Sequence, residues 1–357
     1  MMRRGNDGSK FMLFLLVWAI VLIVFLMVAL GVLSAIFDFE IDAVFAMLSS
    51  PWGIIAYQLV AFMLPLAVWM AIKGEPIKPN FPSAELDSKN IIILIALSFL
   101  FQPFMMMISG ISGLFFTNDV AELMYAFQPH PFWLQLIAIA VTPAICEELV
   151  FRGYIQSKYS GHTIKKAALI NGLFFAIMHL NLQQFAYTFV LGVIFAYLVA
   201  YTRSIWAAII PHFLINGTQV ALGRLLFAVQ PAYADPQAEE ILAAIPISPE
   251  VQAIILFGVI SLIISPVVII LFMELYKHNK LRFAGESSRL ATGVPPVDEF
   301  NAMPEWARLH SETPLRNETP EPESEPSYTP PANSSLIDPF AIGVIVIFVV
   351  FIALMFF

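Results

Sequence analysis

The sequence predicts an all-α protein, a polytopic bundle of about nine transmembrane helices with its N-terminus in the cytoplasm. Three observations carry this. Hydrophobic residues make up 59% of the 357 and charged residues only 12%, where a soluble domain keeps about a quarter charged. Mean hydropathy is +0.81. Apolar runs long enough to cross a hydrocarbon core of about 30 Å, roughly 20 residues as helix, recur along the whole chain.

The runs are 11–37, 51–73, 90–116, 131–155, 165–181, 184–201, 204–227, 250–276 and a last one, "FAIGVIVIFVVFIALMFF". The basic start "MMRRGNDGSK" precedes a run far longer than the ~7–15 residues of a signal-peptide core, so the first span is read as uncleaved. Lys and Arg fall on alternate connections: Arg3, Arg4 and Lys10, then Lys73, Lys78 and Lys89, then Lys158, Lys165 and Lys166, then Arg203, then Lys277, Lys280, Arg282 and Arg289. The intervening connections carry acids instead, from Asp38 and Glu40 through Asp119 and Glu122 to Glu239 and Glu240. By the positive-inside rule the basic side is cytoplasmic, and nine spans put the C-terminus opposite. Trp52 and Trp133 at outer ends, with Trp206 and Tyr276 at inner ends, suit the interfacial belts.

Three regions follow: an eight-span membrane domain over 1–276, a linker over 277–337 and a C-terminal helix over 338–357. The linker is rich in Pro, Glu and Ser, as in "NETPEPESEPSYTPP", and cannot bury enough apolar surface to order itself. A net charge of −8 without clustered Lys and Arg excludes a nucleic-acid partner. The single cysteine, Cys146, excludes an internal disulfide framework. As a buried free thiol it reads as a small hydrophobe rather than a nucleophile.

Only four ionisable residues lie deep in the spans: Glu147 and Glu148 in the fourth, His179 in the fifth and His212 in the seventh. A charge at the bilayer centre costs at least ~2.5–3.5 kcal/mol, so such residues face the bundle interior and mark function. Glu148 and Arg152 are i,i+4 and can pair on one helix face, while Glu147 is turned about 100° away. Phe175 stands one turn before His179 and Asn216 one turn after His212; Phe175 reads as packing. Pro143 and Pro211 should each kink their span and free backbone groups that need partners. A small wet cavity is expected there. A carboxylate, two imidazoles and an amide around water form a hydrolytic set, with the carboxylate or an imidazole as general base and the other donors on an oxyanion. Glu147, His179 and His212 could equally hold a zinc ion. A proton-coupled transporter relaying through the same residues is the alternative function, and a silent scaffold acting through the linker a third.

In order, EExxxR (Glu147, Glu148, Arg152), FxxxH (Phe175, His179) and HxxxN (His212, Asn216) resemble the CAAX protease and bacteriocin-processing family of intramembrane endopeptidases. The resemblance covers about 131–220. It implies an all-helical membrane fold, a peptide or protein substrate with a prenylated C-terminus in the CAAX relatives, and residence in the plasma membrane for a bacterial protein. Residue by residue, it implies that Glu147 and His179 activate water. His212 and Asn216 would stabilise the oxyanion, with Glu148 and Arg152 as the supporting ion pair. Family members have been described both as metalloproteases and as glutamate-dependent proteases. One expectation is under tension. At 1.5 Å per residue, Glu147 and His212 lie about 12 Å from the inner surface and His179 about 21 Å, unless helices tilt or the turn "NLQQF" is recessed.

Overall fold

The computed structural model describes residues 4–37, 41–77, 80–117, 119–233, 247–292 and 337–356. The described chain is a succession of helices, α1 (Arg4–Phe37), α2 (Ile41–Leu48), α3 (Pro51–Lys73), α4 (Ser88–Gly113), α5 (Asp119–Ala126) and α6 (Phe132–Lys158). They continue as α7 (Ile164–Met178), α8 (Leu182–Thr202), α9 (Trp206–Tyr233), α10 (Pro249–Thr292) and α11 (Pro339–Phe356). Among the described residues no strand forms, only one isolated bridge between Ser83 and Ser204. The protein is an integral, multi-pass membrane protein.

Six of these helices are long and apolar enough to cross a membrane: Asp7–Phe37 of α1, then α3, α4, α6 and α8, then Pro249–Ala284 of α10. The nine predicted spans therefore reduce to six that meet both criteria. The fifth fails on length, because α7 has 15 residues and rises only about 22 Å. The ninth is a short apolar helix, Pro339–Leu354, and α9 also stands outside the six. The linker begins later than its composition suggests. Residues 277–292, assigned to it above, continue α10 as helix, and 293–336 lie outside the described residues.

The helix that carries the acids is the most enclosed. In α6, 61% of the span window is buried inside the bundle, against 17% in α1 and 6% in Pro249–Ala284. One apolar cluster joins α1, α3, α6, α7 and α11 through Phe11, Phe62, Phe151, Tyr154, Phe174 and Val344. A second joins α4, α8, α9 and α10 through Leu94, Phe101, Leu198, Ala208 and Leu275. The α7–α8 hairpin joins the two, with α7 in the first cluster and α8 in the second.

That hairpin depends on two glycines. A Cβ on Gly192 would stand 2.7 Å from the Gly172 Cα, and one on Gly172 would stand 2.9 Å from the Phe189 carbonyl oxygen. The two backbones therefore approach as only small residues allow. The hairpin turns in three residues, with Leu180 in the left-handed region at φ 50 and Asn181 capping α8 by accepting from the Gln184 N–H at 3.0 Å. The short α7 thus ends early, and its tip carries His179.

At the basic end the chain is tied together by polar contacts. Ser83 bridges Ser204, and the Ala84 and Ile205 N–H groups donate to the Arg203 and Pro82 carbonyls at 2.9 and 2.8 Å. These bonds fix the start of α9. Lys158 pairs with Glu75 and donates to Asn80 at 3.0 Å, while Trp69 donates to the Tyr154 hydroxyl at 2.8 Å and that hydroxyl to Glu75 at 3.0 Å.

Candidate active site

Helix α6 is irregular where the functional residues sit. It widens into π turns over Ile137–Val141 and Leu149–Ile155, with Thr142–Glu148 as ordinary α-helix between them. The first widening precedes Pro143 by the same step as the π turn Leu59–Met63 precedes Pro65 in α3. Proline has no N–H and its ring crowds the carbonyl four residues back, so an opened turn relieves both problems.

The freed carbonyls find partners on neighbouring helices. Ile139, whose in-helix donor would be residue 143, accepts from the Asn216 amide at 2.9 Å. Phe151, inside the second π turn, accepts from the fully buried Asn171 at 2.6 Å. Two asparagines, one from α9 and one from α7, thus stitch α6 into place. Buried backbone groups demand such partners.

The two adjacent glutamates point different ways, as the helical rotation requires. Glu148 is wholly buried. Its Oε1 accepts from Arg152 Nη1 at 3.1 Å and from His212 Nδ1 at 2.7 Å. Arg152 also donates through Nη2 to the Gly192 carbonyl at 3.3 Å, and its guanidinium lies over the Phe175 ring at 4.2 Å and the Phe195 ring at 5.3 Å. The expected ion pair forms, and it is also the seat that orients His212. Glu147 turns toward α3, where Gln58 Nε2 donates to its Oε1 at 3.1 Å. Its Oε2 is 4.0 Å from His212 Nε2, a gap that one water would bridge. His212 therefore stands between two consecutive carboxylates of one helix.

His179 sits at the hairpin tip, half-buried, with Nδ1 2.8 Å from the Phe175 carbonyl. A carbonyl only accepts, so Nδ1 carries the proton and Nε2 keeps its lone pair. His212 Nδ1 likewise donates to the Glu148 carboxylate. Glu147 lies within electrostatic reach of His179, and so does His212. Phe175 packs among these groups, 4.8 Å from the His179 ring and 6.1 Å from that of His212. Cys146 is buried within the first apolar cluster.

Among the described residues no three His, Cys, Asp or Glu side chains are grouped to hold a metal ion. Glu147, His179 and His212 are donors of the type zinc accepts, but they do not form a gathered ligand set as they stand. A cavity of about 580 Å³ opens at the basic end; Arg152 lines it and Glu147 does not.

Residues 129–218 match a family model described as Rce1-like, "Type II CAAX prenyl endopeptidase Rce1-like". Over those residues the chain is similar to the CAAX endopeptidase family. The match runs from α6 into the first half of α9 and takes in all three motifs. A protein of Bacillus subtilis (strain 168), recorded as "Putative membrane peptidase YdiL", is 26% identical over 168 residues, which span 45% of this chain and 68% of that protein. No solved structure matches.

Motif reading missed Gln58, Asn171, Gly192 and Phe195. Gln58 left a signal, as an amide in the middle of the apolar run 51–73. Phe195 left none, because an aromatic in a span reads as packing.

Proposed function

We propose that this protein is an intramembrane endopeptidase that hydrolyses a peptide bond with a water held between Glu147 and the two histidines. The printed descriptions of the matched family and of the Bacillus relative support the peptidase class. One observation carries the mechanism: His212 is bonded through Nδ1 to Glu148 at 2.7 Å while its Nε2 faces Glu147 at 4.0 Å.

Glu147 takes a proton from the water, and His179 Nε2 accepts the water's other O–H and aims it. The hydroxide adds to the carbonyl carbon. The oxyanion that forms accepts from a protonated His212 Nε2–H, whose ring Glu148 holds in place. The second N–H of the Asn216 amide, free of the Ile139 bond, is the other donor. The C–N bond then breaks, and the proton on Glu147 passes to the leaving amine. General-base help of this kind is worth about 10²–10⁴ in rate and an oxyanion donor about 10²–10³. No step is routed through a metal.

Substrates of the CAAX type end in a prenylated cysteine. The loop charges support a cytoplasmic Lys158 end of α6, the side from which such a terminus arrives. The test is cleavage of matched prenylated and unprenylated C-terminal peptides by purified protein in lipid, beside Glu147→Gln and His212→Ala. We expect the prenylated peptide to be cut and both variants to be inactive with topology and expression intact. Normal cleavage by either variant would end this reading.

A further inference from the structure

We propose that α6 carries a file of water from the basic-end cavity to Glu148, with Gln156 as the residue that positions its entrance; this rests on the hydrolytic reading above. Glu148, Arg152 and Gln156 are spaced by four and form a row along one face of α6. Each has one buried polar atom without a partner among the described residues: Glu148 Oε2, Arg152 Nε and Gln156 Oε1. Their remaining polar atoms are pinned. Arg152 bonds Glu148 and the Gly192 carbonyl, and Gln156 Nε2 donates to the Ala196 carbonyl at 2.9 Å.

The orphan atoms alternate as acceptor, donor and acceptor. Water both donates and accepts, so one molecule fits between each neighbouring pair, and buried polar atoms are ordinarily satisfied this way. The opposite wall is the row Gly192, Ala196 and Ala200 of α8, whose first two carbonyls accept from Arg152 and Gln156. The lower end of the row opens into the cavity of about 580 Å³, lined by Arg152 and Gln156 and by the polar Ser157, Lys158 and Arg203.

The chemistry needs such a route. Each hydrolysis consumes one water, giving one acid and one amine, and the lipid-facing surfaces of the bundle supply none. Water arriving along α6 reaches Oε2 of Glu148, the carboxylate whose Oε1 holds His212 Nδ1, and the same ring faces Glu147 through Nε2.

The test is radiolytic hydroxyl-radical labelling of the full-length protein in lipid vesicles. Phe175 and Phe195 are 2% and 1% exposed and flank Arg152, so oxidation there reports internal water. We expect both rings to be labelled, at least fivefold less in Gln156→Leu, and close to normally in Gln156→Asn, which keeps an amide. We also expect Gln156→Leu to lower kcat at least fivefold on a cleaved peptide with KM unchanged. Unlabelled rings in the unsubstituted protein, equal labelling in Gln156→Leu, or reduced labelling with normal kcat would each overturn the proposal. Labelling as expected with no peptide cleavage by the unsubstituted protein would count against the peptidase reading alone.

Discussion

The side-chain amide of Asn216 on α9 donates at 2.9 Å to the carbonyl of Ile139 on α6, the carbonyl whose own helical donor is missing because residue 143 is proline. A residue in the HxxxN motif is thereby tied to an irregular turn of the helix that carries Glu147 and Glu148. Asn216→Ala should lower both stability and turnover. Leaving the carbonyl unpaired costs about 1–3 kcal/mol, and losing an oxyanion donor lowers kcat about 10²–10³-fold. Parallel unfolding and kinetic measurements separate the two. A fall in Tm with unchanged kcat would confine Asn216 to the structural role.

Gln58 holds Glu147 from outside the family segment, since α3 precedes residues 129–218. Gln58→Leu removes that hydrogen bond at similar volume. We expect kcat to fall by about tenfold, roughly 1.4 kcal/mol of lost orientation, and Gln58→Glu to fare worse because it sets two carboxylates together. Steady-state kinetics on one peptide would show whether the amide matters.

Substitution in the α7–α8 hairpin tests the packing that seats His179. A Cβ on Gly192 meets Gly172 backbone at 2.7 Å, and backbone cannot step aside cheaply. Gly192→Ala should cost about 1–3 kcal/mol and also move the carbonyl that receives Arg152. Thermal unfolding in detergent measures the first effect and peptide cleavage the second.

Acid sensitivity is expected at a contact outside the spans. Asp87 caps α4, accepting from the Asn90 N–H at 2.8 Å and from His278 at 2.7 Å, with Arg282 at 3.8 Å. Burial pushes its carboxyl up, but these hydrogen bonds and the neighbouring His278 and Arg282 side chains outweigh it and hold the group below the ordinary carboxylate range. A carboxyl lowered on folding stabilises at pH above its unfolded value and loses that contribution as pH falls through its folded value. Unfolding temperature should therefore drop below about pH 4, and Asp87→Ala should flatten that limb while costing about 1 kcal/mol at neutral pH through the lost cap.

Metal removal is decisive in a different way. The route through Glu147 and the histidines uses no metal, so turnover should survive dialysis against a strong chelator. Loss of activity restored by Zn²⁺ alone would make Glu147, His179 and His212 ligands and replace the mechanism.

The sequence by itself determined the all-helical membrane class, because apolar runs of bilayer length have no other way to satisfy their backbone in lipid. It also singled out Glu147, Glu148, His179 and His212, because ionisable groups are too costly in a span to be incidental. Tertiary structure alone decided what each touches. Residue spacing could pair Glu148 with Arg152 within one helix, but not assign His212 to Glu148 or Gln58 to Glu147, since those bonds cross between helices. The early end of α7 and the close approach at Gly172 and Gly192 also depend on packing, which brings distant residues together without leaving a period in the chain.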